Sequence, residues 1–212
     1  EHDASDAVTA WADLGWRHGQ EANSLANLTL RNAATGAGTV YRFDNTREDH
    51  VRTGEIGVRG QARTGGVGHE WVASAAVFDF SKDNAYAMDW RNTLAANLYQ
   101  PVYHAQPAFG PSALRGGDLA SPKRTGRTRL SSLALGDTLS LLDERLRITL
   151  GLRHQRMDIR DYAYGSAQQT ARYDKKRTSP AVGVVYKPVQ GLSLYANYIE
   201  GLSQGQTAPG TA

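Results

Sequence analysis

The chain has 212 residues, a net charge of +3, a pI near 9.2 and no cysteine. That balance is too mildly basic to point to nucleic acid, and the lack of cysteine excludes disulfide frameworks, thiolate metal sites and cysteine nucleophiles. No run approaches the roughly 18 apolar residues of a spanning helix, and the mean hydropathy of -0.51 is blind to spanning strands, whose two faces cancel.

Taken in chain order, the dominant pattern is alternation with period two, the signature of half-buried strands. The chain opens "EHDASDAV", without Met or the apolar core of a signal peptide, so it reads as a mature chain or an excised piece. In 7–17, Val8, Ala10, Ala12, Leu14 and Trp16 share one face; Thr9, Asp13 and Arg17 share the other, with Trp11 as an exception. In 24–31, Ala26, Leu28 and Leu30 oppose Asn27, Thr29 and Arg31. A short stub is expected at 39–43. In 51–63, Ile56, Val58 and Ala62 oppose Thr53, Glu55, Arg59, Gln61 and Arg63. Over 69–82, Trp71, Ala73, Ala75 and Val77 form the favoured apolar face, which Val72 and Phe78 spoil. In 127–141, Leu133, Leu135, Leu139 and Leu141 line up, with Asp137 as an exception. Residues 145–156 place Leu146, Ile148, Leu150 and Leu152 opposite Arg147, Thr149, Arg153 and Gln155. Two further strands are expected at 180–187 and 191–200, and no stretch carries a helical period with caps.

These eight predicted strands are separated by connectors of about 6, 19, 5, 44, 3, 23 and 3 residues. Short turns ("HGQEAN", "TGGVG", "LDE", "PVQ") alternate with long polar segments. Soluble domains rarely hold loops beyond about 12–15 residues, whereas outer-membrane barrels pair tight periplasmic turns with long outer loops. Many apolar positions are small (Ala10, Ala12, Ala26, Ala62, Ala73, Ala75). A protein core must be filled to crystal-like density, whereas a lipid-facing surface need not interlock with anything rigid. Trp16, Trp71 and Tyr186, each close to an expected short turn, suit an interfacial girdle. The expected fold is therefore all-β, an antiparallel membrane β-barrel segment of about eight strands. Periplasmic short turns would put both chain ends outside the cell, as expected of a piece of a larger barrel. A soluble β-rich binding module, with the apolar face against a second sheet, is the competing reading.

Residues 178–210, "TSPAVGVVYKPVQGLSLYANYIEGLSQGQTAPG", resemble the TonB-dependent siderophore receptor family, in which a Val-Tyr-Lys-Pro turn leads into Leu-Ser-Leu-Tyr-Ala-Asn-Tyr and a Glu-Gly-Leu segment. The hairpin "SLALGDTLSLLDERLRITLGLRHQRMDI" (132–159) and "NLYQPVY" (97–103) are similar to segments of the same family; the first ninety or so residues match only as generic barrel. The resemblance implies a 22-stranded barrel with a plugged lumen, a bacterial outer-membrane location and ferric-siderophore uptake energised through TonB. It also implies that residues 1–212 are part of the barrel alone, without the plug, its TonB-contacting segment or the closing strands. A passive porin or secretion barrel is the alternative of a different class.

The family's ligand contacts vary with the siderophore, so candidate residues rest on chemistry. Ferric siderophores are often anionic, and aromatic and basic groups suit them. The longest loop offers Tyr99, Tyr103, His104, Phe109 and Arg115, with Tyr103 and His104 first to be tested; packing within the loop is the plainer reading. Lumenal Arg59, Arg147 and Arg153 are candidates for steering anions or for pairing with carboxylates of a plug or neighbouring strand. The basic run "KRTGRTR" (123–129) could touch lipopolysaccharide phosphates or simply be solvated just above the membrane. The histidines (2, 18, 50, 69, 104, 154) show no metal-ligand spacing, "GGVGHE" lacks the rest of a phosphate loop, and no spacing selects a catalytic set. The expectation is a non-enzyme without cofactor or metal whose partners are a ferric siderophore, the TonB complex, outer-membrane lipid and lipopolysaccharide.

Overall fold

The structure, a computed structural model, describes residues 2–205. Its ten strands are antiparallel, and the described residues contain no helix. The strands are β1 (His2–Ser5), β2 (Val8–Leu30), β3 (Ala37–Thr64), β4 (Val67–Met88), β5 (Leu94–Asn97), β6 (Leu114–Gly116), β7 (Lys123–Leu141), β8 (Leu146–Tyr162), β9 (Gln169–Tyr186) and β10 (Leu194–Ile199). Eight of them form one continuous path, β1-β2-β3-β4-β7-β8-β9-β10, while β5 pairs with β3 and β6 with β4. The sheet is open, with β1 and β10 at its two ends.

The strands are longer than the alternation suggests. β2, β3 and β4 run for 23, 28 and 22 residues, about twice the 9–11 residues a tilted strand needs to cross a bilayer. The expected strands 7–17 and 24–31 are one strand, and "HGQEAN" is no turn: each of its residues pairs across to β3, from His18↔His50 to Asn23↔Asn45. The expected 19-residue loop at 32–50 is likewise mostly the first half of β3, which absorbs the stub at 39–43. The 23-residue segment 157–179 shrinks to a turn at 163–168. β1 is a strand that the alternation does not reveal. The main path still has eight strands, because one missed strand offsets one that was split in two. The turns at 65–66, 142–145 and 187–193 are short as expected and share one end of the sheet with the β1–β2 turn. There Gln61 N–H donates to Ala7 C=O at 2.9 Å.

Paired residues point to the same side of an antiparallel sheet, so the register sorts the chain into rows. Near the turn end one face reads Val8–Gly60–Trp71–Asp137–Leu150–Val182, then Ala10–Val58–Ala73–Leu135–Leu152–Pro180, then Ala12–Ile56–Ala75–Leu133–His154–Thr178. Trp71, Ala73, Ala75 and Val77 thus share the apolar face, and Val72 and Phe78 point to the other. The Asp137 exception is answered by His69, whose Nδ1 lies 2.7 Å from Asp137 Oδ2 on the same face.

Two rows further from the turns the same face changes character. Trp16–Arg52–Asp79–Arg129–Asp158–Asp174 is followed by His18–His50–Ser81–Arg127–Arg160–Arg172. Trp71 and Tyr186 lie near the turn end, whereas Trp16 lies at the upper boundary of the apolar band, because the turn expected beside it is strand.

Burial is inverted relative to a soluble domain. Among the described residues the fully buried apolar ones are Ala85 and Ala87, whereas Asp49, Ser81, Asp89, Thr125, Asp158 and Ser179 are buried. Leu14 is 85 % exposed, Trp16 84 %, Leu135 63 % and Ile56 61 %. No second layer among the described residues covers the apolar rows. A contiguous exposed apolar band of this breadth needs a nonaqueous neighbour, and a closed barrel supplies it as lipid. The opposite face then looks into the lumen.

Candidate functional site

In the turn-end half the lumenal face carries polar side chains that bond to one another across the strands. Trp11, the exception in its alternation, lies here and donates its indole N–H to Glu55 Oε1 at 3.1 Å. It faces Gly57, where an added Cβ would sit 2.1 Å from Trp11 Cζ2, so the glycine lets the ring lie against the backbone. Arg147 donates to Glu70 Oε1 at 2.7 Å, across β7. Arg153 donates to Ser132 Oγ at 3.1 Å. Arg59 lies on the same face, between Thr9 and Val72. The three candidate arginines are therefore lumenal, and Arg147 and Arg153 are held by neighbouring strands.

The longest connector, 89–122, folds back on the strands. β3 outruns β4, and β5 bonds to the surplus at Ala37–Val40; β4 outruns β7, and β6 bonds to Tyr86–Met88. Two open edges are thereby covered. Between β5 and β6 the loop lies along the outward face. Pro107 C=O accepts from Arg42 Nη1 at 2.8 Å, and Gln106 bonds to Ser24 Oγ. Ser24 and Arg42 continue the rows that carry Trp16 and Ile56 lower down. A groove of about 380 Å³ lies there, lined in part by Val40, Leu94, Val102, Tyr103 and His104.

The structure divides the loop candidates. Tyr99 O–H donates to Ala33 C=O at 2.6 Å, and its ring covers Gly36, whose φ of 74° is left-handed. His104 Nε2 lies 2.7 Å from Ala95 C=O, within the loop itself, while Tyr103 is 96 % exposed. Phe109 is brought together with Arg42 and Arg115, whose guanidinium carbons lie 4.3 and 5.4 Å from its ring centre. Arg42 in turn holds the Asp44 carboxyl below the usual range through hydrogen bonds.

A second cluster, not singled out from the sequence, occupies the lumenal face at the loop end. Phe43 and Tyr86, on adjacent strands, have ring centres 6.5 Å apart. Tyr164, from the β8–β9 turn, meets Tyr86 edge-on at 5.0 Å, and its O–H accepts from Asn84 Nδ2 at 3.4 Å. Tyr41 extends the patch and accepts from Asn27 Nδ2 at 3.2 Å. The spacing of Tyr41 to Phe43, and of Tyr86 to Met88, held the signal, but it is visible only once both segments are known to be strand.

Outside, just above the apolar band, lies a belt of ion pairs. Arg127 and Arg129 donate to Asp79 at 2.6 and 2.8 Å. Arg160 and Arg172 donate to Asp158 at 2.7 and 3.0 Å, and Arg156 to Asp174 at 2.8 Å. The Asp158 carboxyl is held far below its ordinary pKa, first by hydrogen bonds from Arg160 and then by those from Arg172. "KRTGRTR" supplies Arg127 and Arg129 to this belt, and its Arg124 lies 3.4 Å from Asp83.

An open antiparallel sheet with a lipid-facing band, a polar lumen and strands continuing past the membrane defines a segment of an outer-membrane β-barrel. Residues 2–212 match the family described as "TonB dependent receptor-like, beta-barrel", and the chain belongs to that family, whose members are bacterial outer-membrane proteins. It is 30 % identical over 210 residues to the ferrichrome receptor FcuA of Yersinia enterocolitica, covering 99 % of this chain and 27 % of FcuA. BauA, the ferric preacinetobactin receptor of Acinetobacter baumannii, is 28 % identical with a TM-score of 0.74 over 100 % of this chain and 30 % of BauA. The siderophore receptor PiuA of the same organism, 16 % identical with a TM-score of 0.66 over 93 % of this chain and 30 % of PiuA, shares the fold. The chain thus spans less than a third of these relatives' length. They are receptors, and the family is not one of enzymes.

Proposed function

We propose that residues 1–212 form one arc of a larger, plugged barrel that takes up a ferric siderophore across the outer membrane, driven through TonB. The observation that carries this reading is the aromatic patch of Phe43, Tyr86 and Tyr164 on the lumenal face at the loop end. A bulky, often anionic chelate entering the lumen from outside would meet these rings, with Arg47, paired to Asp49 at 2.6 Å, on the same face below them. Tyr99, Tyr103, His104, Phe109 and Arg115 stay in the proposal as contacts on the outer side of the rim, where a chelate would be caught before it crosses to the lumenal rings, and Arg59, Arg147 and Arg153 as the cationic wall further down. The outward belt is where outer-leaflet lipid and lipopolysaccharide phosphates would rest. Supporting this reading are the family and the siderophore receptors among the relatives.

The test is uptake of radiolabelled ferric siderophores by cells whose only siderophore receptor is the intact protein, with and without TonB. Uptake of at least one siderophore that disappears without TonB is expected, as is weaker binding by Tyr86→Ala. Uptake that persists without TonB would make the barrel a passive porin.

A further inference from the structure

We infer that His18, Glu48 and His50 form a binding site for a borderline divalent cation of the Zn²⁺ class on the outward face of β2 and β3, above the lipid band. His18 and His50 are direct cross-strand partners, and Glu48 lies two residues from His50 on the same face. The imidazole rings stack with centres 4.5 Å apart and planes 6° from parallel. Both direct Nε2 at one oxygen, Glu48 Oε1, at 2.8 and 3.2 Å. The three ligand atoms all lie within 4.8 Å of one another. Ligands about 2.0–2.2 Å from a tetrahedral zinc are about 3.3 Å apart, and each imidazole holds an ion in its own ring plane, so the near-parallel rings must turn toward each other to share one, which partly exposed side chains allow.

The donor set selects the metal. Two neutral imidazoles and one carboxylate suit Zn²⁺, Ni²⁺ or Cu²⁺, whereas Ca²⁺ and Mg²⁺ prefer an all-oxygen shell. Three protein ligands leave a fourth position for water. Of the cations nearby, Arg52 stands two residues from His50 on the same face, opposite Asp79. Arg127 is paired to Asp79 and Arg124 to Asp83, and the residues opposite Glu48 are Gln20 and Asp83. The ligands sit on paired strands, so their backbone positions are set before the ion arrives and only the side chains need to turn. Bound there, an ion would clip β2 to β3 in the stretch where neither needs lipid.

The probe is Zn²⁺ itself, titrated calorimetrically into the intact receptor in detergent, free of any oligohistidine tag and stripped with chelator, followed by Cu²⁺ and electron paramagnetic resonance. Expected are one saturable equivalent of Zn²⁺ and a Cu²⁺ spectrum with two nitrogen ligands. His18→Ala and His50→Ala should each abolish the saturable phase and remove one nitrogen from the spectrum. Glu48→Gln should weaken Zn²⁺ while leaving both nitrogens. Folding of each variant is checked by heat-modifiable gel mobility. An isotherm unchanged in the folded His18→Ala/His50→Ala double variant would overturn the assignment, as would the absence of any saturable Zn²⁺ binding.

Discussion

The two halves of each long strand obey different rules on the same outward face. In the turn-end half of β8, Leu146, Ile148, Leu150 and Leu152 meet lipid; in the loop-end half the same row continues as His154, Arg156, Asp158 and Arg160. The register between β7 and β8 runs through both halves without a shift, from Leu141↔Leu146 to Gly126↔Asp161. What changes is the neighbour: hydrocarbon demands apolar side chains at every second position, and above it the face is held by ion pairs instead. The strand is fixed by its ladder, and the pattern along it reports the solvent.

Substitutions that exchange the two solvents should have the largest effect. Leu150→Arg places a cation in the apolar band and should cost about 2–4 kcal/mol in the intact barrel, measured by denaturant unfolding in lipid. Thr149→Arg, one residue along and lumenal, should cost far less; equal costs would remove the difference between faces. Gly57→Ala comes next. Its methyl would collide with Trp11, and displacing the indole should cost about 1–3 kcal/mol and shift the tryptophan emission. Unchanged stability and emission would mean that the ring does not rest on Gly57.

The loop-end half should respond to acid. Asp158 has its pKa depressed by Arg160 and Arg172, so its contribution is complete above the ordinary carboxylate pKa. It is lost progressively as pH falls from there toward the folded value. Unfolding followed from pH 6 down to pH 2 should show a plateau that gives way to a steep loss below about pH 4 in the wild type, and Asp158→Asn should flatten that slope while lowering stability at pH 6 by about 1–3 kcal/mol. The smallest effect belongs to the half-exposed lumenal pair: Arg147→Gln should cost no more than about 1 kcal/mol, and a larger loss would mean that Arg147 has a further partner.

This contrast also explains what could be read from the sequence. The lipid-facing halves were legible because each keeps period two: Val8 to Trp16, Leu133 to Leu141 and Leu146 to Leu152 all appear as expected. Their continuations were not. His18 to Asn23 and Arg47 to His50 carry polar residues on both faces, so strand looked like loop. The error propagated to the site. With 18–23 and 32–50 taken as connectors, nothing brings Phe43 beside Tyr86, or His18 beside His50. Asp137 and Trp11 broke the alternation for reasons that only pairing reveals: one answers His69 on the outward face, the other covers Gly57 and bonds Glu55 in the lumen.

The most direct test of the lipid-facing assignment is a nitroxide scan of residues 146–160 in the intact protein reconstituted into bilayers. Labels at Leu146, Ile148, Leu150 and Leu152 should collide with oxygen and be shielded from a water-soluble nickel chelate, and from Arg156 onward the preference should reverse. Chelate access at Leu146, Ile148 and Leu150, or shielding from both relaxants as in a dry seam between protein layers, would contradict it.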